Sequence, residues 1–315
     1  MNDIAVLIPC YNEEKTVEKV IADARAALPG AKIYVYDNNS TDATAERARR
    51  AGAIVRQEAL QGKGNVIRRM LREINARCYV IVDGDDTYSL DRAGEMADLV
   101  LNRNSDMVVG DRLSSTYFTE NKRRFHNSGN SLIRSCINFL FNGNVQDVMT
   151  GLRAVSYDFA KTFPVLTNGF EIETEMTLHA LYHHMQIDNV VIGYRDRAPG
   201  SSSKLNTFRD GFKVLRTIFN MYRSYKPLQF FGWLALLLAV ISGAAFIPVF
   251  TDFLRTGAVK KFPTLIVSGF TAIAALMSLF AGLILSNQEK SYKRTFEVLR
   301  SFLHCNLKES SKDES

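Results

Sequence analysis

Short apolar runs alternate with longer mixed stretches across the first third of the chain. Ile4–Ile8, Lys32–Tyr36, Ala53–Arg56, Tyr79–Val82 and Met107–Gly110 are short, β-prone and bounded by turn-forming residues, which is the pattern of buried strands. Glu13–Ala27, Asp42–Ala51, Gly64–Ile74 and Leu90–Asn102 lie between them and read as helices, the second with a capping start in Ser40-Thr41-Asp42. Such alternation predicts an α/β fold with a mainly parallel sheet covered on both faces. Ligands of such sheets bind beyond the carboxyl ends of the strands. Further on, Ser114 to Asn127 is polar and basic and predicts a mobile loop. Gly169 to Leu181 predicts a helix, Val190–Tyr194 a strand, and Ala198 to Lys204 a breaker-rich loop.

The pattern then changes. Phe208, Phe212, Leu215, Phe219 and Tyr222 recur at helical spacing beside a stripe of Arg209, Lys213, Arg216 and Arg223. That arrangement predicts an amphipathic helix lying in a membrane interface. Leu228 to Phe250 and Phe262 to Ser286 carry no charged side chain. At ~1.5 Å per residue each run is long enough to cross a ~30 Å hydrocarbon core. Two such runs close together predict a membrane hairpin rather than a buried soluble one. Met1-Asn2-Asp3 leads straight into an apolar run with no basic leader, so no secretory signal is expected. Basic residues flank the hairpin (Arg216, Arg223, Lys226, then Lys290, Lys293, Arg294, Arg300), while its loop holds Arg255, Lys260 and Lys261. This modest bias favours a cytoplasmic soluble part, at the inner (cytoplasmic) membrane.

Composition narrows the chemistry. The 315 residues carry a net charge of +6 and no nucleic-acid motif, so the charge suits anionic lipid and phosphate rather than DNA or RNA. The 4 cysteines lack paired spacing, so neither a zinc site nor a disulfide framework is expected. No Gly-x-Gly-x-x-Gly follows the first strand, which removes the dinucleotide reading. The most informative feature is Asp83-Gly84-Asp85 directly after the fourth strand. Two carboxylates two residues apart on a turn suit Mg²⁺ or Mn²⁺ on a diphosphate.

Four segments fall at strand ends in order: Pro9-Cys10-Tyr11-Asn12-Glu13-Glu14, Tyr36-Asp37-Asn38-Asn39-Ser40, Gln61-Gly62-Lys63-Gly64 and Asp83-Gly84-Asp85. Together they resemble the nucleotide-sugar domain of family-2 glycosyltransferases, whose fold is the Rossmann-like GT-A fold. Gly110-Asp111-Arg112, Asp147 through Thr150-Gly151 to Arg153, Gly169-Phe170-Glu171 through Glu173 to Glu175, and Arg195 through Arg197 and Gly200 to Ser203-Lys204 extend the likeness to the polyprenyl-phosphate sugar transferases. The resemblance implies that Pro9, Tyr11, Glu13 and Asp37 line the nucleotide pocket. Asp37 and Glu13 would accept from base N–H and ribose hydroxyls. Lys63, between two glycines that permit close backbone approach, would sit near the phosphates, and Gly84 would sit against the donor. Asp83 and Asp85 would hold the metal, with Thr87 where some relatives carry a third ligand. Asp147 would lie at the acceptor as a candidate base, Glu173 on an acidic helix start, and Arg112, Arg153, Arg197, Ser203 and Lys204 around the anionic acceptor. Homo-oligomers also occur among such relatives.

A hydroxyl acceptor needs a general base, whereas a phosphomonoester, with second pKa ~6, is largely ionised near neutrality. The expectation is therefore an inverting transferase that moves a sugar from a UDP- or GDP-sugar, UDP preferred, to a polyprenyl phosphate. Asp147 then orients the acceptor or steadies developing positive charge. Transfer to a hydroxyl of a lipid-linked glycan is the alternative, and a non-catalytic sugar-nucleotide scaffold is a further one. The expected organisation is a catalytic domain over 1–205, an interfacial helix over 206–226, a two-span hairpin over 227–287, and a basic helix with a disordered tail over 288–315.

Overall fold

The computed structural model describes residues 2–112, 114, 124–141, 143–195 and 207–312. Seven strands, β1 (Asn2–Cys10), β2 (Lys32–Asp37), β3 (Ile54–Gln57), β4 (Ala76–Ile81), β5 (Met107–Asp111), β6 (Arg153–Ser156) and β7 (Ile187–Val191), form one sheet in the order β3-β2-β1-β4-β6-β5-β7. All neighbours are parallel except β6, which runs antiparallel between β4 and β5. Residues Ala5–Ile8 of β1 have no exposed surface, because β1 lies inside the sheet with both faces covered. An unbroken apolar run is what such a strand requires. One face packs against α1 (Val17–Ala27) and α4 (Ala93–Asn102), through Val17, Val20, Ile21 and Ala24 of the first and Ala93, Met96, Ala97 and Val100 of the second. The remaining helices of this part are α2 (Thr44–Arg50), α3 (Lys63–Glu73), α5 (Arg124–Phe141), α6 (Tyr157–Thr162) and α7 (Ile172–Tyr182).

Several boundaries differ from expectation, each for a local reason. Helix α1 starts at Val17 rather than Glu13, because the Glu13 N–H donates to Thr44 Oγ1 at 2.8 Å and Thr16 Oγ1 donates to the Gly84 carbonyl at 2.6 Å. Helix α2 starts at Thr44, with Asp42 Oδ1 accepting from the Thr44 N–H at 3.0 Å. Strand β7 ends at Val191, before the expected Val190–Tyr194 run does. Residues 193–195 turn instead to the 87–89 segment, where Ser89 N–H meets the Gly193 carbonyl at 3.0 Å and Arg195 N–H meets the Thr87 carbonyl at 2.8 Å. Strand β6, and helices α5 and α6, have no counterpart among the expected elements. Of the expected 114–127 loop, Ser114 is a turn, Arg124 onward belongs to α5, and 115–123 lie outside the described residues.

The chain divides into two compact units, one through Ile218 together with the segment from Val298, the other Phe219–Glu297. In the first, Arg300 pairs with Asp106 at 2.7 Å and approaches Asp158 at 3.8 Å. Helix α8 (Thr207–Tyr225) buries Val214 and Ile218 and exposes Phe212, Leu215 and Phe219 of the expected apolar stripe, while Tyr222 is half-buried. The second unit is a hairpin of α9 (Pro227–Thr256) and the membrane-length part of α10 (Phe262–Lys312). Pro227 opens α9 where its missing N–H costs nothing, and Gly257 closes it in the left-handed region at φ 66°. Ser242 Oγ donates to the Ser268 carbonyl at 2.7 Å, and Ser278 Oγ to that of Phe231 at 3.0 Å. The outer faces carry exposed Trp233, Leu237, Val240, Phe270 and Ile284, a distribution that suits lipid rather than water. Helix α10 reaches Lys312, through much of the stretch whose polarity predicts disorder.

Candidate active site

The carboxyl edge of β1, β2 and β4 is built by three loops tied together through side chains. Asn38, just beyond β2, donates from Nδ2 to the carbonyls of Glu58 and Leu60, both at 2.9 Å, and accepts from the Gly62 N–H at 2.7 Å. Asn12 accepts from the Thr41 N–H at 2.8 Å and its own N–H donates to Ser40 Oγ at 2.9 Å. Within this frame Asp37 is buried, and its Oδ1 has no hydrogen-bond partner while Oδ2 accepts from the Ser40 N–H at 3.3 Å. An orphaned buried carboxylate oxygen is costly. Here it stands at a strand end where a base or ribose donor would satisfy it. Glu13 is buried nearby on the turn into α1, Pro9 is half-buried, and Tyr11 is exposed.

The Asp83-Gly84-Asp85 turn follows β4. Gly84 lies so close to Cys10 that a Cβ would stand 2.6 Å from its Sγ. Thr87, itself buried, donates to Asp85 Oδ1 at 2.7 Å. It therefore orients Asp85. Among the described residues no cluster of three or more His, Cys, Asp or Glu forms a ready-made metal cage. The donor set, two carboxylates on one turn, is of the oxygen type that a hard cation takes, and the Asp83 carboxylate already faces positive charge, with Lys63 Nζ 2.5 Å from its Oδ1. The other contact of Lys63 is Glu173, at the start of α7. Burial pulls the Lys63 pKa down, but the Asp83 and Glu173 carboxylates outweigh it and hold the ammonium well above its usual range.

The glycines beside Lys63 serve a different neighbour from the one expected. A Cβ on either Gly62 or Gly64 would fall 2.2 Å from a backbone carbonyl oxygen, of Asn168 and Thr167 respectively, and Gly62 has φ +129°. The Gly64 N–H donates to that Asn168 carbonyl at 3.0 Å. Close backbone approach is thus made to the 167–168 segment of the protein itself. That segment is held from α7 by Glu175, which accepts from the Leu166 N–H at 2.9 Å and the Thr167 N–H at 3.0 Å.

On the other side stands a buried ion pair, Arg112 Nε to Asp147 Oδ2 at 2.8 Å, with Asp147 Oδ1 accepting from the Met149 N–H at 3.2 Å. Arg112 also donates to the Met149 carbonyl at 3.2 Å and lies 5.6 Å over the Tyr194 ring. Arg153 is not in a position to touch an acceptor. It is 1% exposed and spends its donors on the carbonyls of Thr150 and Val148 and on Thr177 Oγ1. Burial pulls its pKa to about 10, so it stays charged at neutral pH. Its work is to shape the 148–150 turn beside Asp147. Arg197, Ser203 and Lys204 lie outside the described residues.

Two residues at this site escape sequence reasoning. Asn38 looks like ordinary turn chemistry until its three backbone partners are seen. Tyr88 accepts from the Gly151 N–H at 2.8 Å, and burial raises its pKa, against the opposing pull of Arg112 and Lys63. Gly151 is the complement of that packing, since a Cβ there would lie 2.3 Å from Asp83 Oδ2. The Asp-x-x-x-Gly-x-Arg spacing singles out this glycine, but nothing local says what it faces.

Comparison with known proteins agrees with this architecture. The family model described as glycosyl transferase family 2 matches residues 5–163. Protein RfbJ of Shigella flexneri is 54% identical over 110 residues, 35% of this chain and 85% of that protein. The glycosyltransferase AglJ of Haloferax volcanii is 31% identical over 230 residues, 73% of this chain and 75% of its own. A dolichyl-phosphate hexose transferase of Haloferax volcanii is 30% identical over 217 residues, 69% of this chain and 92% of its own. The UDP complex of glucosyl-3-phosphoglycerate synthase from Mycobacterium tuberculosis superposes with a TM-score of 0.56 at 20% identity, over 71% of this chain and 80% of that one. The chain has the GT-A fold and belongs to glycosyltransferase family 2.

Proposed function

We propose that this glycosyltransferase is anchored in the cytoplasmic membrane by α9 and α10 and works from the cytoplasmic side. It would transfer a sugar, with inversion, from a UDP-sugar in preference to a GDP-sugar to a polyprenyl phosphate. The observation that carries the acceptor assignment is the state of Asp147. Both of its oxygens already accept hydrogen bonds, from Arg112 and Met149, so it is a poorly placed general base. A hydroxyl acceptor requires such a base, whereas an ionised phosphate brings its own nucleophilic oxygen. The exposed apolar outer faces of the hairpin helices, and the uncovered Phe212, Leu215 and Phe219, suit a lipid substrate. A relative is named as a dolichyl-phosphate hexose transferase, and a structural neighbour was crystallised with Mn²⁺ and UDP-glucose.

In this reading Asp37 and Glu13 take the base and ribose, with Pro9, Tyr11 and Gly84 along the donor. Asp83 and Asp85 hold a divalent cation, Mg²⁺ or Mn²⁺, which when bound supplies Lewis-acid neutralisation of the diphosphate. Arg112 would meet the acceptor phosphate, and Arg197, Ser203 and Lys204 would be its further partners by their motif. A phosphate oxygen attacks the anomeric carbon from the face opposite the diphosphate. The new C–O bond forms as the old one breaks, and its electron pair leaves on the nucleoside diphosphate. Asp147 holds Arg112 in place and steadies positive charge developing on the sugar.

The test is transfer by purified protein in detergent, with labelled UDP- and GDP-sugars, Mg²⁺ or Mn²⁺, and undecaprenyl phosphate present or omitted. Label should enter a lipid product only with the phosphate lipid, and EDTA should abolish it. Transfer to a hydroxyl-bearing lipid but not to the phosphate would overturn the acceptor assignment.

A further inference from the structure

Lys63, the first residue of α3, is fixed with unusual thoroughness. Gly62 and Gly64 lock its backbone against Thr167 and Asn168, and Arg68 of the same helix donates to the Val165 carbonyl at 2.9 Å. Its side chain, 10% exposed, ends between Asp83 and Glu173, which are 24% and 8% exposed. Glu173 comes from a part of the chain 110 residues away and shares this ammonium with Asp83. A lone lysine on Asp83 would be an ordinary ion pair. A second, more deeply buried carboxylate behind it makes a built seat for the cation, because a buried charge stays only where partners offset its desolvation.

We propose that Lys63 is a resident counter-ion of the donor site, and that Glu173 is the positioning residue that sets how firmly it holds Asp83. The inference rests on the assignment of Asp83 to a divalent cation under Proposed function. With no nucleotide bound, Lys63 competes with the cation for Asp83 and keeps the site from loading with metal alone. With the donor bound, the added negative charge of its diphosphate would favour a divalent cation at Asp83, and Lys63 would be released towards the phosphates with Glu173 as its remaining carboxylate partner. Metal and nucleotide are thereby coupled, each tightening the other by the same factor.

The experiment is Mn²⁺ binding to the full chain in detergent, by titration calorimetry or by the electron paramagnetic resonance of free Mn²⁺, with and without UDP. In Lys63→Gln the nucleotide-free protein should bind Mn²⁺ at least tenfold more tightly than wild type, about 1.4 kcal/mol. The tightening that UDP produces should shrink by the same factor. In Glu173→Gln the lysine keeps Asp83 as its sole carboxylate, and nucleotide-free Mn²⁺ affinity should fall at least threefold. Opposite signs at two residues of one ion triad are not what loss of folding produces. If Lys63→Gln does not fold, as judged by UDP binding and thermal unfolding, Glu173→Gln decides alone, and unchanged or tighter Mn²⁺ binding there overturns the proposal. Equal nucleotide-free affinity in wild type and a folded Lys63→Gln also overturns it, while leaving the metal assignment intact. Failure of wild type to bind Mn²⁺ even with UDP removes the metal assignment itself and this proposal with it.

Discussion

Replacing Gly151 by alanine tests whether the Asp83 carboxylate is positioned by the backbone beneath it. The new Cβ would lie 2.3 Å from Asp83 Oδ2 and 2.8 Å from its Cγ, where ordinary contact begins at 3.4 Å. The carboxylate must therefore retreat by at least about 1 Å, and a misplacement of that size at a reacting group costs roughly a hundredfold in rate. That corresponds to about 2.7 kcal/mol of transition-state stabilisation. Folding should suffer much less, because the Asp83 side chain is 24% exposed rather than packed in the core. The assay is initial-rate sugar transfer at saturating and limiting UDP-sugar, with thermal unfolding in the same detergent. We expect kcat/KM to fall about a hundredfold and Tm to move little. A Gly151→Ala enzyme within threefold of wild type would refute the reasoning, since Asp83 would then not need the place it occupies.

Three further outcomes follow from other parts of the molecule. Asn38→Ala removes three hydrogen bonds that join the loop after β2 to the 58–62 loop and leaves their backbone groups without these partners, so unfolding stability should drop by about 2–4 kcal/mol, read from denaturant titration. For Glu73, burial opposes ionisation, but hydrogen bonds from Arg69, Tyr36 and Arg56 outweigh it and hold the pKa at about 2. Its folded pKa lies below the unfolded one, so its stabilisation is present above pH 4.5 and is lost as pH falls towards 2. Glu73→Gln should flatten that limb of the stability curve, and an unchanged acid limb would contradict the assignment. Gly282 in α10 lies where a Cβ would meet Phe231 Cβ at 3.0 Å, so Gly282→Ile should push the hairpin helices apart and lower thermal stability in detergent. An unchanged Tm there would mean that the helices do not cross at this point.

Much of this molecule is local physics and is therefore legible from the chain alone. The run Ile4–Ile8 is apolar at every position because β1 is covered on both faces, and a short segment that stays hydrophobic without alternating has no side to give to water. The uncharged lengths in α9 and α10 announce themselves for the same reason, since no partner is needed to recognise a segment that water does not solvate. The carboxylates at 83 and 85 are likewise visible, because a strand followed by a turn fixes which residues reach the sheet edge. What the tertiary structure decided is pairing across long separations. Strand β6 is a four-residue antiparallel insert, recognisable only once β4 and β5 are in place to receive it. Arg153 reads as an anion-binding arginine by its motif, yet it faces inward to carbonyls that only the folded 148–150 turn presents. The partnership of Lys63 with Glu173, and of Gly62 and Gly64 with the backbone of Asn168 and Thr167, depends on the approach of α3 to a segment about a hundred residues later. Periodicity reports how each element meets solvent and core. It carries no information on which distant charge a buried lysine will find, because that is set by the geometry of the closed sheet and not by any neighbour in the chain.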